Sequence, residues 1–459
     1  MAAHAALDQD RLEEAERLAQ EALRAAEASL AGPGSGTAEE SAPPPAAEGA
    51  AMAEVACEAL EVIGRRARLF NLGQAESAFE RARQIAEEHH LTVWRLRALH
   101  ELGTIDMFRD QSFSRLRQAR DLAEQCGALA TGAMVDVQLA ALHQMRFELS
   151  DSFRLAGCAI ETASRLQLHM THAVALLFQA EFWSLRQDRS RMEAAIAEAV
   201  RVSHDDPVIE MSCWGDCRAN VSLMEENRSR AVRELETAQE WARKVKVSGP
   251  SPTHGMWALL RTIQGGGEAA CREVRASSAM IQPANAGWLT YADGIRLGRQ
   301  GQGDGAMAAV HAGDTLMRNM PWYKHYGRRL LAEAAIADGW GEPAIWLSEA
   351  ASFFADQGNK AVVSACQSLL RKAGVTSARV HPDVPVRFRQ EGVTDREMEV
   401  LNVVAEGLSN KQIGERLYLS PRTVEKHIAS LMDKLDVRTR AQLAALTVAN
   451  MGDASAKPG

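Results

Sequence analysis

Apolar residues near the C-terminus recur at helical spacing in four short segments between residues 395 and 450. In the third segment, residues 421–435, the four apolar positions fall within about 60° of arc at about 100° per residue. The other segments show the same one-sided spacing, which predicts four short amphipathic helices. The apolar positions are, segment by segment, Val400, Leu401, Val404 and Leu408; Ile413 and Leu417; Val424, Ile428, Leu431 and Leu435; Leu443 and Leu446.

Residues that favour the start of a helix precede each of these segments. In a capping box, a Ser or Thr and a Glu or Gln three residues later satisfy backbone N–H groups that a helix start leaves free. The third segment begins differently, with Ser420 as the N-cap and Pro421 at the first helical position. The predicted capping-box pairs are Thr394 with Glu397, Ser409 with Gln412, and Thr439 with Gln442.

A very short turn joins the second and third predicted helices. Only Tyr418 and Leu419 lie between the second helix and the cap of the third. This connection is typical of a helix-turn-helix, in which the second helix of the pair enters the DNA major groove and contacts base edges with its N-terminal residues. Residues 421–435 are therefore the predicted recognition helix.

The side of this helix that points away from its apolar face carries two cations. Arg422, Lys426 and Ala429 fall within about 60° of each other, and Thr423 and Glu425 flank them. A helix N-terminus also offers free N–H groups and the positive end of the helix dipole, which suit a phosphate. The alternative is that the two cations are ordinary solvated surface residues. The short turn and the caps favour a role in DNA binding.

Residues 393–450 closely resemble the LuxR-type DNA-binding domain, a four-helix module at the C-terminus of many bacterial transcription regulators. In that family the helix that starts near Pro421 is the recognition helix. The matching residues include Thr394, Arg396, Glu397, Val400, Leu401, Gly407, Ser409, Asn410, Lys411, Ile413, Leu417, Ser420, Thr423, Val424, His427, Lys434, Leu435, Val437 and Arg440.

The resemblance also implies individual roles in DNA binding. Many relatives carry a cation where this chain has Glu425 or Ala429, and a glutamate can instead accept a hydrogen bond from the cytosine amino group. His427 lies about 70° from the core direction at helical spacing, so we interpret it as a packing residue or a phosphate contact. The implied phosphate-side residues are Lys411, Ser420, Thr423 and Lys434, and the implied base-side residues are Glu425, Lys426 and Ala429.

Alanine pairs at a regular interval run through the long N-terminal part of the chain. The first members of successive pairs are 37, 40, 40 and 39 residues apart. Each unit is then a helix, a turn and a second helix, with small residues where helices approach closely. Periods of roughly 34–47 residues are typical of tetratricopeptide or HEAT solenoids; the alternative is an irregular helical bundle. The pairs are Ala82/Ala86, Ala119/Ala123, Ala159/Ala163, Ala199/Ser203 and Ala238/Ala242, with degenerate versions at Ala308/Ala312 and Ala351/Ala355.

The predicted fold is all-α, a tetratricopeptide-like helical solenoid followed by a four-helix LuxR-type helix-turn-helix domain. Gly- and Pro-rich composition marks the linkers. The predicted organisation is an N-terminal helix at 1–31, a Gly/Pro-rich linker at 32–50, a helical-repeat sensor or interaction domain at 51–375, a second linker at 376–392, the helix-turn-helix domain at 393–451 and a disordered tail at 452–459.

Charge is unevenly distributed along the chain. The 459 residues carry a formal net charge of −8, which is unusual for a protein that binds nucleic acid along its whole length. Residues 410–450 hold seven Lys or Arg and four Asp or Glu, whereas residues 393–450 hold eight of each. Because phosphate contacts scale with the cations engaged, we expect one copy to bind DNA weakly and a homodimer to occupy paired half-sites.

The helical part resembles the sensor region of the large ATP-dependent LuxR-family regulators, the MalT-like group. The resemblance rests on the repeat style and on stretches such as 57–64 and 94–103. Those relatives carry an NTPase domain before the repeats, and this sequence contains no Gly-x-x-x-x-Gly-Lys-Ser/Thr phosphate loop. Residues 301–305 have the glycines without the lysine or hydroxyl, which indicates a turn. We therefore expect the chain to correspond to the C-terminal portion of such a regulator, without ATP-driven switching.

Enzymatic and metal chemistry receive no support from the sequence. The seven cysteines are scattered and odd in number, which favours a reducing cytoplasm over a disulfide scaffold. Cys213 and Cys217 lack further ligands nearby, so we interpret them as buried small residues. No secretory signal and no apolar run of about 18 residues is present. We expect a cytoplasmic protein with no catalytic residues, no metal and no cofactor.

These patterns predict a regulator that binds double-stranded promoter DNA. Its helical repeats would bind an effector or a protein partner and control dimerisation. The alternative is a protein-interaction scaffold whose DNA-binding module is vestigial, and an NTPase is disfavoured by the missing phosphate loop.

Overall fold

A computed structural model of the chain describes residues 12–30, 46–244, 251–373, 395–417 and 421–452, together with Phe388, Glu391 and Val393. The regular structure within these ranges is helical, and they contain no β-strand. The all-α prediction is therefore confirmed. The chain divides into two compact units, Met1–Leu369 and Leu370–Gly459.

The N-terminal unit is a succession of helices joined by short corners. Two irregular stretches interrupt it: a π-helical stretch, Cys213–Ala219, joins α10 to α11, and a 3₁₀ turn, Ser278–Ile281, precedes α15. The helices are α1 (Leu12–Leu30), α2 (Ala46–Arg68), α3 (Leu72–Glu88), α4 (Thr92–Arg109), α5 (Ser114–Gln125), α6 (Leu129–Met145), α7 (Leu149–Arg165), α8 (His169–Leu185), α9 (Arg189–Ser203), α10 (Pro207–Ser212), α11 (Asn220–Met224), α12 (Arg228–Ala242), α13 (Thr253–Ile263), α14 (Glu268–Arg275), α15 (Pro283–Arg299), α16 (Gly303–Leu316), α17 (Pro321–Asp338), α18 (Pro343–Asp356) and α19 (Lys360–Lys372).

Helices α2 to α12 form a stack of helical hairpins. Each helix packs against the next, apart from α10 and α11, which the π-helical stretch connects. The first helices of neighbouring hairpins also touch: α2 contacts α4, α4 contacts α6, α6 contacts α8, and α8 contacts α11. Six of the corners share one geometry, in which a left-handed residue follows the helix and the next N–H bonds back to the carbonyl five residues earlier. Such bonds are Leu91 to Ala86, Ala128 to Ala123, Glu148 to His143, Leu168 to Ala163, Asp188 to Trp183 and Asn227 to Ser222, at 2.8–2.9 Å.

The five pairs that predicted this stack, four of two alanines and one of Ala199 with Ser203, lie on the second helix of each hairpin. All ten residues are buried, as expected where helices approach closely. The degenerate pairs do not play this part: Ala308, Ala312 and Ala355 are exposed. In α16 the buried positions are instead Ala306, Val310 and Gly313. The later helices therefore do not continue the alanine repeat.

The later helices instead pack back onto the last hairpin of the stack, α11 and α12. The Tyr326 hydroxyl of α17 donates to the Leu223 carbonyl at 3.2 Å, and the Trp322 indole N–H points to the Met224 sulfur at 3.4 Å. Arg329 is 2% exposed and binds Glu226 through two hydrogen bonds of 2.9 and 2.8 Å. These contacts join residues about a hundred positions apart in the sequence, which no local pattern indicated.

The C-terminal unit contains α20 (Asp395–Ala405), α21 (Asn410–Leu417), α22 (Pro421–Lys434) and α23 (Arg440–Gly452). The predicted apolar faces meet in its core. Phe388 is buried in the same core, so the segment predicted as the linker 376–392 contains a core residue. At the other linker, α2 begins at Ala46, which makes the predicted range 32–50 too long. The core residues are Phe388, Val393, Met398, Val400, Leu401, Val403, Val404, Ile413, Val424, Ile428, Leu431 and Leu443.

Cys213 and Cys217 are buried in an apolar cluster between α8, α9 and the π-helical stretch, as predicted. Within the described ranges, no group of three or more His, Cys, Asp or Glu side chains is arranged to hold a metal ion. None of the described helices combines the length and apolarity needed to cross a bilayer.

Candidate DNA-binding interface

Two of the predicted capping boxes form as the sequence indicates. Gln412 accepts from the Ser409 backbone N–H at 2.9 Å, and the Ser409 hydroxyl accepts from the Gln412 N–H at 3.4 Å. Gln442 and Thr439 make the same exchange at 3.1 and 3.2 Å. These caps set the start points of α21 and α23. Thr394 and Ser420, of the other two predicted caps, lie outside the described residues.

Helix α22 separates an apolar face from a polar face. Val424 and Leu431 are fully buried in the core and Ile428 is 8% exposed. Arg422, Glu425, Lys426 and Ala429 are exposed. The apolar residues therefore anchor the helix, and the four candidate contact residues near its N-terminal half remain accessible to a ligand. These exposed residues lie on the side of the helix that was predicted to point away from its apolar face.

The remaining candidates lie around this face. Lys411 is exposed in the first turn of α21, while Thr423 and His427 are half-buried on α22. In the part of this unit that the structure describes, no carboxylate forms an ion pair with Lys411, Arg422 or Lys426, whereas Arg416 pairs with Glu406 and Lys434 with Glu397. Cations that are not neutralised inside a protein are available to phosphate or base edges.

Lys434 has a structural partner that the sequence pattern did not indicate. Its ammonium group binds the buried carboxylate of Glu397 at 2.7 Å, and the Ser430 hydroxyl donates to the same carboxylate at 2.6 Å. These bonds tie the C-terminal half of α22 to α20. Spacing within one helix cannot show such a contact, because the partners are more than thirty residues apart. The phosphate-side role of Lys434 stays a prediction.

Arg440 fixes the fourth helix against the second. Its guanidinium donates to the Asn410 side-chain oxygen at 2.5 Å and to the Leu408 carbonyl. The bond to Leu408 satisfies a carbonyl in the corner just before α21. Lys434 therefore joins α22 to α20, and Arg440 joins α23 to α21. Neither contact involves the N-terminal half of α22, which forms the cationic surface.

Comparison with known proteins agrees with this geometry. Residues 391–447 match the family described as bacterial regulatory proteins, luxR family. These residues are a luxR-family helix-turn-helix domain. Within that domain, α21 and α22 are the helix-turn-helix pair, and the C-terminal part of the all-α fold is as predicted. The resemblance of the helical repeats to the MalT-like group stays a prediction.

Three relatives illustrate the similarity of the luxR-family domain. The transcriptional regulatory protein LiaR of Bacillus subtilis is 40% identical over 72 residues, which are 16% of this chain and 34% of LiaR. A nitrate/nitrite response regulator homologue of Haemophilus influenzae is 48% identical over 62 residues, 14% of this chain and 28% of the relative. The DNA-binding transcriptional activator DevR/DosR of Mycobacterium tuberculosis is 36% identical over 84 residues, 18% of this chain and 39% of the activator.

The matched segment covers less than two fifths of the length of each of these relatives. The similarity therefore concerns the luxR-family domain and gives no information on α1 to α19.

Proposed function

We propose that this chain is a DNA-binding transcription regulator whose helix α22 enters the major groove. The observation that carries the proposal is the polarity of α22 within a luxR-family domain. Its buried face holds Val424 and Leu431, and its opposite face presents Arg422 and Lys426 without an internal ion pair among the described residues. The relatives of the domain are named as transcriptional regulatory proteins.

The proposed contacts divide into two groups. Exposed Glu425, Lys426 and Ala429 face the bases, where Lys426 suits guanine acceptors and Glu425 suits the cytosine amino group. Lys411, Ser420, Arg422, Thr423, His427 and Lys434 lie on the phosphate side, where cations, hydroxyls and the α22 N-terminus position the domain without reading sequence.

A homodimer on paired half-sites is part of the proposal. Residues 393–450 have equal numbers of acidic and basic side chains, so a single domain gains little affinity from counterion release. Two domains on one DNA molecule add their contacts, and half-sites spaced by about one helical turn, 34–36 Å, would match a two-fold symmetric dimer. The helical unit would bind an effector or a partner protein and control this dimerisation.

The test uses the full chain and sheared DNA from its own genome, followed by sequencing of the retained fragments. The affinity for a recovered fragment is then measured by fluorescence anisotropy at 50 and 200 mM salt. We expect the Arg422→Ala/Lys426→Ala variant to lose at least about thirtyfold in affinity, because each of the two lost contacts costs about 1–3 kcal/mol. We also expect a weaker salt dependence, because fewer phosphates are neutralised.

A matched control keeps the change in charge and residue type constant. Arg371 and Lys372 are an exposed Arg–Lys pair at the end of α19, outside the luxR-family domain. The Arg371→Ala/Lys372→Ala variant should bind the recovered fragment as the parent does. Equal affinity of both double variants would contradict the proposal, and recovery of no fragment above background would favour the interaction scaffold.

A further inference from the structure

A cavity lies inside the N-terminal unit, on the face formed by the first helices of the hairpins. Its volume is about 220 Å³. Helices α4, α6, α8 and α10 supply most of the wall, and residues from the returning part of the chain, including Pro252, Gln282 and Tyr323, complete it. The wall is mainly apolar. Its side chains include Met107, Phe108, Val174, Leu177, Phe178 and Ile209.

One corner of the cavity is acidic and hydrogen-bonded. Asp216 lies on the π-helical stretch, and a π-helical turn within an α-helix is a rare feature that often marks a functional site. The Ser251 hydroxyl donates to the Asp216 carboxylate at 2.6 Å and lies 2.7 Å from the Thr253 hydroxyl. The carboxylate is thus held in place by residues of the returning segment.

Glu181 of α8 lines the same cavity and is 8% exposed. Burial raises the pKa of Glu181, and repulsion from Asp216 raises it further; burial also raises the pKa of Asp216. Both carboxyls line the same cavity. None of the described residues that line the cavity is a lysine or an arginine, so the protein itself supplies no counter-charge there.

A third polar group in the cavity is unsatisfied. Gln144 is 5% exposed, and neither its amide nitrogen nor its amide oxygen forms a hydrogen bond of good geometry within the described structure. The amide approaches Glu181 closely enough to oppose part of the rise in its pKa. A buried polar atom without a partner costs about 1–3 kcal/mol, so the Gln144 amide oxygen is an acceptor for which a ligand would provide the missing donor.

Cavity size limits the ligand to a small molecule. An engineered apolar cavity of about 150 Å³ accepts benzene, so the larger volume here has room for about nine non-hydrogen atoms by the same measure. The apolar wall suits a hydrocarbon or aromatic body. The acidic corner suits a group that donates hydrogen bonds and carries positive charge, because a buried carboxylate is stabilised by a cation in direct contact.

We propose that this cavity is a binding site for a small primary amine with an apolar body, whose ammonium group is held between Glu181 and Asp216 and beside Gln144. That the amine is the signal of a transcription regulator rests on the proposed function. That the cavity binds the amine is argued from the cavity alone.

The test measures binding to the full chain by isothermal titration calorimetry in the absence of DNA. The probes are 2-phenylethylamine, which has nine non-hydrogen atoms, its neutral isostere 2-phenylethanol, and the anion phenylacetate. We expect the amine to bind at least tenfold more tightly than the alcohol, and phenylacetate not to bind. Equal affinities for amine and alcohol would overturn the proposed charge recognition.

Two kinds of variant separate charge from shape. In the Glu181→Gln/Asp216→Asn variant, the preference for the amine over the alcohol should disappear while the alcohol still binds. Ala141→Leu places a larger side chain at a lining position and should weaken amine binding at least tenfold. Ala130→Leu makes the same change at an exposed position of the same helix and should leave the affinity unchanged.

The outcomes can be distinguished from a failure of the proposed function. Amine binding that survives Ala141→Leu, with the variant folded by circular dichroism, would place the ligand elsewhere and overturn the site. If Ala141→Leu does not fold, the carboxamide double variant decides, because it alters charge with little change in volume. If the chain binds the amine but no genomic fragment, the proposed binding site is supported and the proposed function as a regulator is contradicted.

Discussion

The two units of this chain are stabilised by contacts of very different sequence separation. In the luxR-family domain, the caps join residues three apart, as Ser409 and Gln412 do. In the helical unit, Arg329 reaches Glu226 across 103 positions. The first kind of contact can be read from a short window of sequence, whereas the second depends on how the chain returns on itself. The functional surface of the domain is therefore visible in its sequence, and the cavity of the helical unit is not.

The largest expected effect tests the long-range contacts of the helical unit. Arg329→Met removes both hydrogen bonds that Glu226 receives from Arg329 and leaves it with Arg228 at 3.8 Å, and breaking a buried pair costs about 3–5 kcal/mol. Urea unfolding followed by tryptophan fluorescence measures the loss. The control is Arg261→Met, whose partner Glu236 is 3.2 Å away and whose side chain is 43% exposed; an exposed pair contributes about 0–1 kcal/mol. Similar losses in both variants would show that the returning contacts are not special.

A second prediction concerns base recognition by the luxR-family domain. Glu425→Gln should relax the preference at one base pair of the recovered site by about 1–3 kcal/mol, because the glutamate is the proposed partner of a cytosine amino group. Competition binding with all four base pairs at each position measures this preference. Glu399→Gln, an exposed carboxyl on α20, should leave the preferences unchanged. An unchanged profile for Glu425→Gln would remove this residue from the base-side group.

A third prediction uses the raised pKa of Glu181 in the helical unit. The pKa of Glu181 in the folded state lies above its ordinary value of 4.5. Between these two pKa values the unfolded chain releases the proton and the folded chain retains it. The free energy of unfolding therefore falls as the pH rises through this window, by about 1.4 kcal/mol per pH unit. Glu181→Gln cannot titrate, so it should become more stable than the parent over this window.

Urea unfolding of parent and variant at pH 4.5, 6.0 and 7.5 checks the sign. Glu161→Gln, an exposed carboxyl on α7, is the control and should follow the parent. A stability difference between Glu181→Gln and the parent that does not grow with pH would contradict the buried carboxyl pair.

The smallest expected effect tests the local contacts of the luxR-family domain. Ser409→Ala removes the hydroxyl that accepts from Gln412, and loss of an N-cap costs about 1 kcal/mol. Ser409→Asp should retain most of the stability, because aspartate is an equally good N-cap. The melting temperature of the luxR-family domain measures the stability of both variants. If aspartate and alanine give the same loss, the cap does not stabilise α21 in the way that the geometry indicates.

Much of the C-terminal fold was predictable because its signals are local. The caps of α21 and α23, the buried face of α22 and the exposure of Arg422 and Lys426 follow from residue type and helical spacing. The partner of Lys434 and the burial of Phe388 do not, because both depend on contacts between segments that a helical period does not connect. The sequence-predicted DNA contacts remain predictions until binding is measured.

In the helical unit, the sequence by itself determined the hairpin stack, because small residues recurring about every 40 positions allow helices to approach at a constant interval. In the luxR-family domain, the sequence also determined which face of α22 is buried, since an amphipathic helix has only one apolar face. Only the tertiary structure decided that α17 packs against the hairpin of α11 and α12 and that Glu181, Asp216 and Gln144 share one cavity. The physical reason is that a cavity is bounded by side chains from distant segments, and their proximity arises from packing, which no local sequence pattern encodes.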